Sequence, residues 1–375
     1  MKIISLYLPQ FHEIPENNEW WGEGFTEWAN VKSASPLFDG HVQPKVPLNK
    51  NYYNLLDDEV KIWQAEMAKR YGVYGFCYYH YWFSGKLLLE KPMEQMLKNP
   101  KIDLPFCICW ANEQWSKQWV GENKILMPQV YGSKDEWIAH FNYFLKFFMD
   151  SRYIKDGNKP MLVILHPETI GCLNEMLDCW IELAKINGFD GINFGYYTNW
   201  SELVGGKVDD SRFTYDIHGE PRYALAKYNK NDHPLIRKTV NKLSAFVERK
   251  TGYNLKSLSP VKLTANRINY DEIWEKLLEE EPKSEKSVPG AFVNWDNAPR
   301  YKEKSRVFVG GTPEKFEKYM TKLIKRTKDV YKQDYIFMFA WNEWCEGGYL
   351  EPDEENGYGY LQAIKNALEA NGEKV

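Results

Sequence analysis

Eight short runs rich in Ile, Val, Phe and Tyr, separated by helical patterns, constrain this chain more than any other feature. They are Lys2–Leu8, Gly75–Tyr79, Phe106–Trp110, Met161–Leu165, Ile192–Tyr197, Phe213–Ile217, Ala291–Asn294 and Tyr335–Ala340. Each is compact rather than strictly alternating, the pattern of strands covered on both faces. Between them, Asp57–Arg70 carries Val60, Trp63 and Met67 at helical spacing, and Asp135–Met149 carries Trp137, Phe141, Phe144, Leu145 and Phe148. Leu173–Ile186 and Pro313–Val330 are amphipathic too, and Tyr358–Ala370 closes the chain. Thr312 ahead of Pro313 and Glu314 reads as an N-cap and first turn. Strands alternating with helices predict βαβ units around a parallel sheet. Eight of them predict the α/β class and a closed (β/α)8 TIM barrel, with a doubly wound open sheet as the alternative. A barrel of about 250 residues plus insertions accommodates all 375 residues as one catalytic domain, 1–375.

One region breaks the rhythm. From about Tyr228 to Ser287 the chain is charged, with Lys230, Lys238, Lys242, Arg249, Lys250 and the run Glu279-Glu280-Glu281, and carries no clear strand. Its apolar content is too thin for a core of its own. It is expected to be an insertion at approximately 228–287, an elaborated connection between strands 6 and 7 with a helix at Tyr270–Glu280.

Charge and composition exclude several functions. Forty-eight Lys+Arg against 52 Asp+Glu give a net charge of −4, with no basic field to hold a phosphate backbone, so nucleic acid is not an expected partner. No apolar run approaches the length of a membrane span, and mean hydropathy is −0.58. Ser5 and Pro9 interrupt the N-terminal apolar stretch, which reads as a strand rather than a secretory signal. The six cysteines are expected to be reduced thiols, and the seven histidines form no H-E-x-x-H. A cytoplasmic chain without metal or cofactor is expected.

In such a barrel the active site lies at the carboxyl ends of the strands. There the sequence places Tyr7-Leu8-Pro9-Gln10, Tyr79-His80-Tyr81-Trp82, Trp110-Ala111-Asn112-Glu113, Tyr197-Thr198-Asn199-Trp200, Asn294-Trp295-Asp296-Asn297 and Trp341-Asn342-Glu343-Trp344-Cys345-Glu346-Gly347. Most strand ends set Trp or Tyr beside an amide or carboxylate. A pyranose explains that company: its C–H face packs on a ring and its hydroxyls need planar polar partners. No G-x-G-x-x-G or P-loop is present to cradle a phosphate. Glu343 and Glu346 are the candidate catalytic pair, because glycoside cleavage needs two carboxyl groups about one anomeric centre, one held protonated. Candidate substrate-binding residues are Tyr7, Gln10, Trp28, Tyr79, Trp82, Trp110, Asn112, Glu113, Trp295, Asp296, Trp341 and Asn342. His80 and His166 are as readily core histidines as substrate ligands. Glu351, Asp353, Glu354 and Glu355 read as a solvated acidic loop, and Trp20–Trp28, with Glu23 and Glu27, as a lid.

The segments Tyr7-Leu8-Pro9-Gln10-Phe11-His12, Trp20-Trp21-Gly22, Gly24-Phe25-Thr26-Glu27-Trp28, Tyr74-Gly75-Phe76-Cys77-Tyr78-Tyr79, Trp110-Ala111-Asn112-Glu113, Trp295-Asp296-Asn297 and Trp341-Asn342-Glu343-Trp344-Cys345-Glu346-Gly347 resemble those of WbsX-type proteins. These are similar to glycoside hydrolase family 99 and carry lipopolysaccharide or polysaccharide biosynthesis labels. The resemblance covers nearly the whole chain. It implies a (β/α)8 barrel acting on glycans, and by analogy with retaining endo-acting α-mannosidases it implies roles. Glu343 would deprotonate the substrate's own 2-hydroxyl to form an anhydro-sugar, and Glu346 would be the general acid and then the base for water. Where the family has a Trp, two basic residues and Trp-Asp-Gly, this chain has Trp115-Ser116-Lys117-Gln118-Trp119-Val120-Gly121; if the basic pair or the Asp reads a substrate group, specificity differs here. The expected activity is hydrolysis of an α-glycosidic, mannoside-like bond in a surface polysaccharide or its precursor. The alternatives are a glycosyltransferase of O-antigen or capsule biosynthesis and a non-catalytic glycan-binding barrel, the latter favoured if both glutamates are salt-bridged to Lys or Arg.

Overall fold

The computed structural model describes residues 1–116, 125–198, 208–228 and 265–375. Asn199, Trp200, the segment from Lys117 to Gly121 and positions 229–264 of the expected insertion lie outside these residues. Eight parallel strands form the barrel: β1 Lys2–Tyr7, β2 Val73–Phe83, β3 Phe106–Trp110, β4 Lys159–Ile164, β5 Asn193–Tyr197, β6 Phe213–Ile217, β7 in two segments, Ser287–Val288 and Gly290–Phe292, and β8 Tyr335–Phe339. Each pairs with its sequence neighbour, and β1 pairs with β8 from Lys2↔Tyr335 to Ser5↔Met338. The first segment of β7 pairs with β6 and the second with β8, which closes the ring.

The seventh strand was expected at Ala291–Asn294 and begins four residues earlier. Pro289, which has no N–H to give a ladder, interrupts the apolar pattern there, yet its carbonyl accepts from Phe337 N at 3.2 Å. The next residue must be glycine: a Cβ on Gly290 would sit 1.9 Å from the His218 carbonyl oxygen across the seam. The connection expected to lack strands contains one, Asn266–Asn269, paired with Arg306–Val309 outside the barrel. Only Ile268 of its four residues is buried, so the pattern carries little apolar signal. The helix expected there spans Tyr270–Glu279.

The outer helices follow from amphipathic spacing. Pro313–Arg326 buries Phe316, Tyr319, Met320, Leu323 and Ile324, one helical stripe. Thr312 caps it, its hydroxyl accepting from Lys315 N at 3.3 Å. Asp58–Arg70, Lys134–Phe148, Leu173–Ile186 and Gly359–Ala370 cover other faces. All six cysteines are free. Among the described residues no helix is long and apolar enough to cross a membrane.

Candidate active site

The end of β8 supplies both glutamates. After Phe339 the chain runs through a short hairpin, Asn342–Glu343 against Gly348–Tyr349, and turns at Gly347 with φ 67°. Asn342 fixes this exit to that of β1: its Oδ1 accepts from Leu8 N at 2.8 Å and its Nδ2 donates to Leu8 O at 3.0 Å. Asn112 repeats the device between β3 and β4, accepting from His166 N at 2.8 Å and donating to His166 O at 2.8 Å. Each Asn-Glu dipeptide is thus a backbone clamp followed by an acid: Glu343 in one case, Glu113 in the other.

Arg300, on the short helix Ala298–Tyr301 after β7, gathers the acids. Its Nη1 lies 2.7 Å from Glu346 Oε1, and its Nη2 lies 3.2 Å from Glu27 Oε1 and 3.7 Å from Glu343 Oε2. Glu343 and Glu346 therefore sit on one guanidinium, nearly buried, in one cluster. They do not share it equally. Glu346 makes a true ion pair, with Arg222 Nη2 3.6 Å away as a second cation. Glu343 Oε2 has no hydrogen-bond partner among the described residues. Burial pushes the Glu343 carboxyl well above the ordinary carboxylate range; Arg300 opposes this, and the charges of Glu346 and Glu27 add to it. Of the three acids on Arg300, Glu343 stands farthest from the guanidinium, at 3.7 Å.

Other groups around this cluster come from neighbouring strand ends. Tyr79 and Tyr81 face Glu343 from β2, and Tyr301 lies near Glu346. Trp295 is buried beneath Arg222. The Glu113 and Arg222 side chains are 53 % and 44 % exposed. Burial works to raise Glu113, but His166 at 3.4 Å, Arg222 and Arg300 bring its carboxyl below the usual value. Burial would likewise lower His166, and Glu113 with Glu168 at 3.5 Å outweigh it, so the imidazole is raised.

Other sequence candidates lie elsewhere. Tyr7 is fully buried with its hydroxyl on Gln64, Trp28 donates to Tyr53 O, and Trp341 donates to Glu351. Trp82 stacks on His140 at 4.4 Å, outside the barrel, and Trp110 packs between His140 and Trp180. His80 is a core histidine, 2.9 Å from His140, with burial lowering its pKa to about 3. Gln10 is buried, and its carbonyl accepts from Glu27 N. Asp296 accepts from His41 and Gln43 and lines a separate cavity of about 220 Å³ with Phe38, Asn294 and Tyr349. The acidic loop is not uniformly solvated. Glu351 and Asp353 are buried, and Glu351 accepts from Trp341, Trp344, Gln64 and Tyr53, bracing the hairpin that carries the glutamates.

The chain belongs to the WbsX family: the family model described as Glycosyltransferase WbsX matches residues 3–364. Proteins named WxcX from two strains of Xanthomonas campestris pv. campestris are 30% identical over 369 and 380 residues. Those matches take in 98% of this chain but 49% of each relative, so the chain spans about half the length of the curated relatives it matches. In fold it is similar to the GH99 endo-α-mannosidase from Bacteroides thetaiotaomicron, at TM-score 0.55 and 12% identity, covering 99% of this chain and 98% of that one. A glycoside hydrolase-like protein has TM-score 0.58 and 10% identity, covering 98% and 93%.

Proposed function

We propose that this chain hydrolyses an α-glycosidic, mannoside-like bond in a surface polysaccharide or its precursor, with Glu343 and Glu346 as the acid–base pair. The observation that carries this reading is the asymmetry of the two carboxyls on Arg300: one ion-paired at 2.7 Å, the other at 3.7 Å and raised by burial. Two acids pushed apart in proton affinity are what general acid–base chemistry on one bond needs. The asymmetry also bears on their roles. The family resemblance makes Glu343 the base toward the 2-hydroxyl, whereas its surroundings favour the proton-bearing form, the donor to a leaving oxygen. Glu346, on the Arg300 guanidinium at 2.7 Å, is then assigned the base. Tyr79, Glu113 and Trp295 are the substrate-binding candidates retained around the acid cluster; Asn112 and Asn342 act through the acids they position.

Two observations favour other readings. The family's description names a glycosyltransferase, and contact of both glutamates with Arg300 fits a barrel that only binds glycans. A panel of α-mannosides and the host's polysaccharide repeat units separates them. Hydrolysis predicts released sugar, lost by about 100- to 10,000-fold in Glu343→Gln and in Glu346→Gln while glycan binding persists. Saturable binding of UDP- or GDP-sugars with transfer to an acceptor would replace hydrolysis by transfer. Glycan binding with no turnover of any substrate would leave a binding barrel.

A further inference from the structure

Among the described residues around the acid cluster, Arg222 is a cation to which the acid–base reading gives no chemical step. It opens the helix Arg222–Tyr228 just after β6. Its neighbours are locked: Tyr223 and Ala224 are fully buried, Tyr223 stacks on His218 at 4.4 Å, and Glu220 Oε2 accepts from Ala224 N at 3.0 Å. The guanidinium itself remains 44 % exposed, its carbon 5.5 Å from the centre of the buried Trp295 ring. Its approach to Glu346 Oε1, 3.6 Å, is beyond hydrogen-bond length, and that oxygen is already taken by Arg300 at 2.7 Å. Glu113, the other nearby acid, is engaged by His166. Neutral hydroxyls are served by amides and carboxylates. A planar fork of N–H donors beside an indole face matches a two-oxygen anion instead.

We propose that Arg222 is a specificity-determining residue that binds an oxyanion on the substrate, beside the bond addressed by Glu343 and Glu346. The substrate is then an acidic saccharide, its charge a uronate carboxylate or a phosphate ester. This rests on the saccharide reading above and adds its charge. The anion lies over the exposed edge of the guanidinium, and its attraction is short-ranged because the nearby Glu346 and Glu113 offset the positive charge.

Calorimetric titration of the full chain carrying Glu343→Gln, with methyl α-D-glucuronide, α-D-mannose 1-phosphate and methyl α-D-mannoside as probes, tests it. One anionic probe is expected to bind about tenfold or more tighter than the neutral mannoside, with affinity falling as salt is raised. Adding Arg222→Gln removes that preference by about 10- to 100-fold without weakening the mannoside, and Arg222→Lys keeps part of it. Circular dichroism and thermal unfolding check that each variant is folded. Preference for the glucuronide assigns a uronate, and preference for the phosphate a glycosyl phosphate. Equal binding of all three probes, unchanged by Arg222→Gln, overturns the role of Arg222 and leaves the saccharide reading standing. No binding by any probe overturns both.

Discussion

Replacing Asn342 by alanine tests how the barrel mouth is held together. The Asn342 amide is fully buried and satisfies both backbone groups of Leu8, itself buried, at 2.8 and 3.0 Å. Alanine leaves an N–H and a C=O without partners, and each buried orphan costs about 1–3 kcal/mol. The expected loss is therefore about 2–6 kcal/mol, a large share of the 5–15 kcal/mol typical of a folded domain. Urea unfolding followed by tryptophan fluorescence reads it as a lower midpoint at an unchanged slope. Asn112→Ala is the matched comparison, because it orphans the same two groups of His166, and should cost a similar amount. Asn342→Asp should be no better than alanine, since its second oxygen would face the Leu8 carbonyl. A loss below about 1 kcal/mol in Asn342→Ala would refute the clamp, because it would mean that water or a shifted backbone replaces both bonds at once.

Two further substitutions have definite outcomes. Burial raises Glu220 from 4.5 to about 8, so the native state keeps a proton that the unfolded chain releases. Its stabilisation is complete below about pH 4.5 and is lost as pH climbs to about 8, at about 1.4 kcal/mol per pH unit. Glu220→Gln should flatten that part of the stability–pH curve, and an unaltered slope in urea titrations at several pH values would count against it. Gly290→Ala places a methyl 1.9 Å from His218 O at the closing seam and should cost more than about 3 kcal/mol; near-native thermal unfolding would show that the seam can open.

The barrel was legible because its evidence is repeated: eight apolar runs, six of them followed by a helical pattern, survive an error in any one. The misplaced seventh strand shows the limit, since Ser287 and Pro289 hide a segment defined by its two neighbours. Where the candidate site residues fall on the strands was harder to read. Side chains alternate along a strand, so at the end of β2 Tyr79 and Tyr81 face Glu343 whereas His80 and Trp82 face the helix Lys134–Phe148. Reading the strand ends by two-residue period would have set Trp82 aside. Tyr7 and Trp341 turn away in the same manner, onto Gln64 and Glu351. Arg222, Arg300 and Glu27 escaped notice as a group because they lie on three separate segments, and Glu27 read as part of a lid. What marks them is position alone: Arg222 and Arg300 each follow a barrel strand by a few residues.

The proton on Glu343 can be observed without knowing the substrate. In a chain with ¹³C-labelled glutamate carboxyls, titration by NMR should show, besides the Glu220 signal, a carboxyl still protonated through neutral pH that is missing in Glu343→Gln and kept in Glu220→Gln. If the Glu343 and Glu346 carboxyls instead release their protons together in the ordinary carboxylate range, the two are not an acid and a base set apart by Arg300, and the enzymatic account fails at its centre.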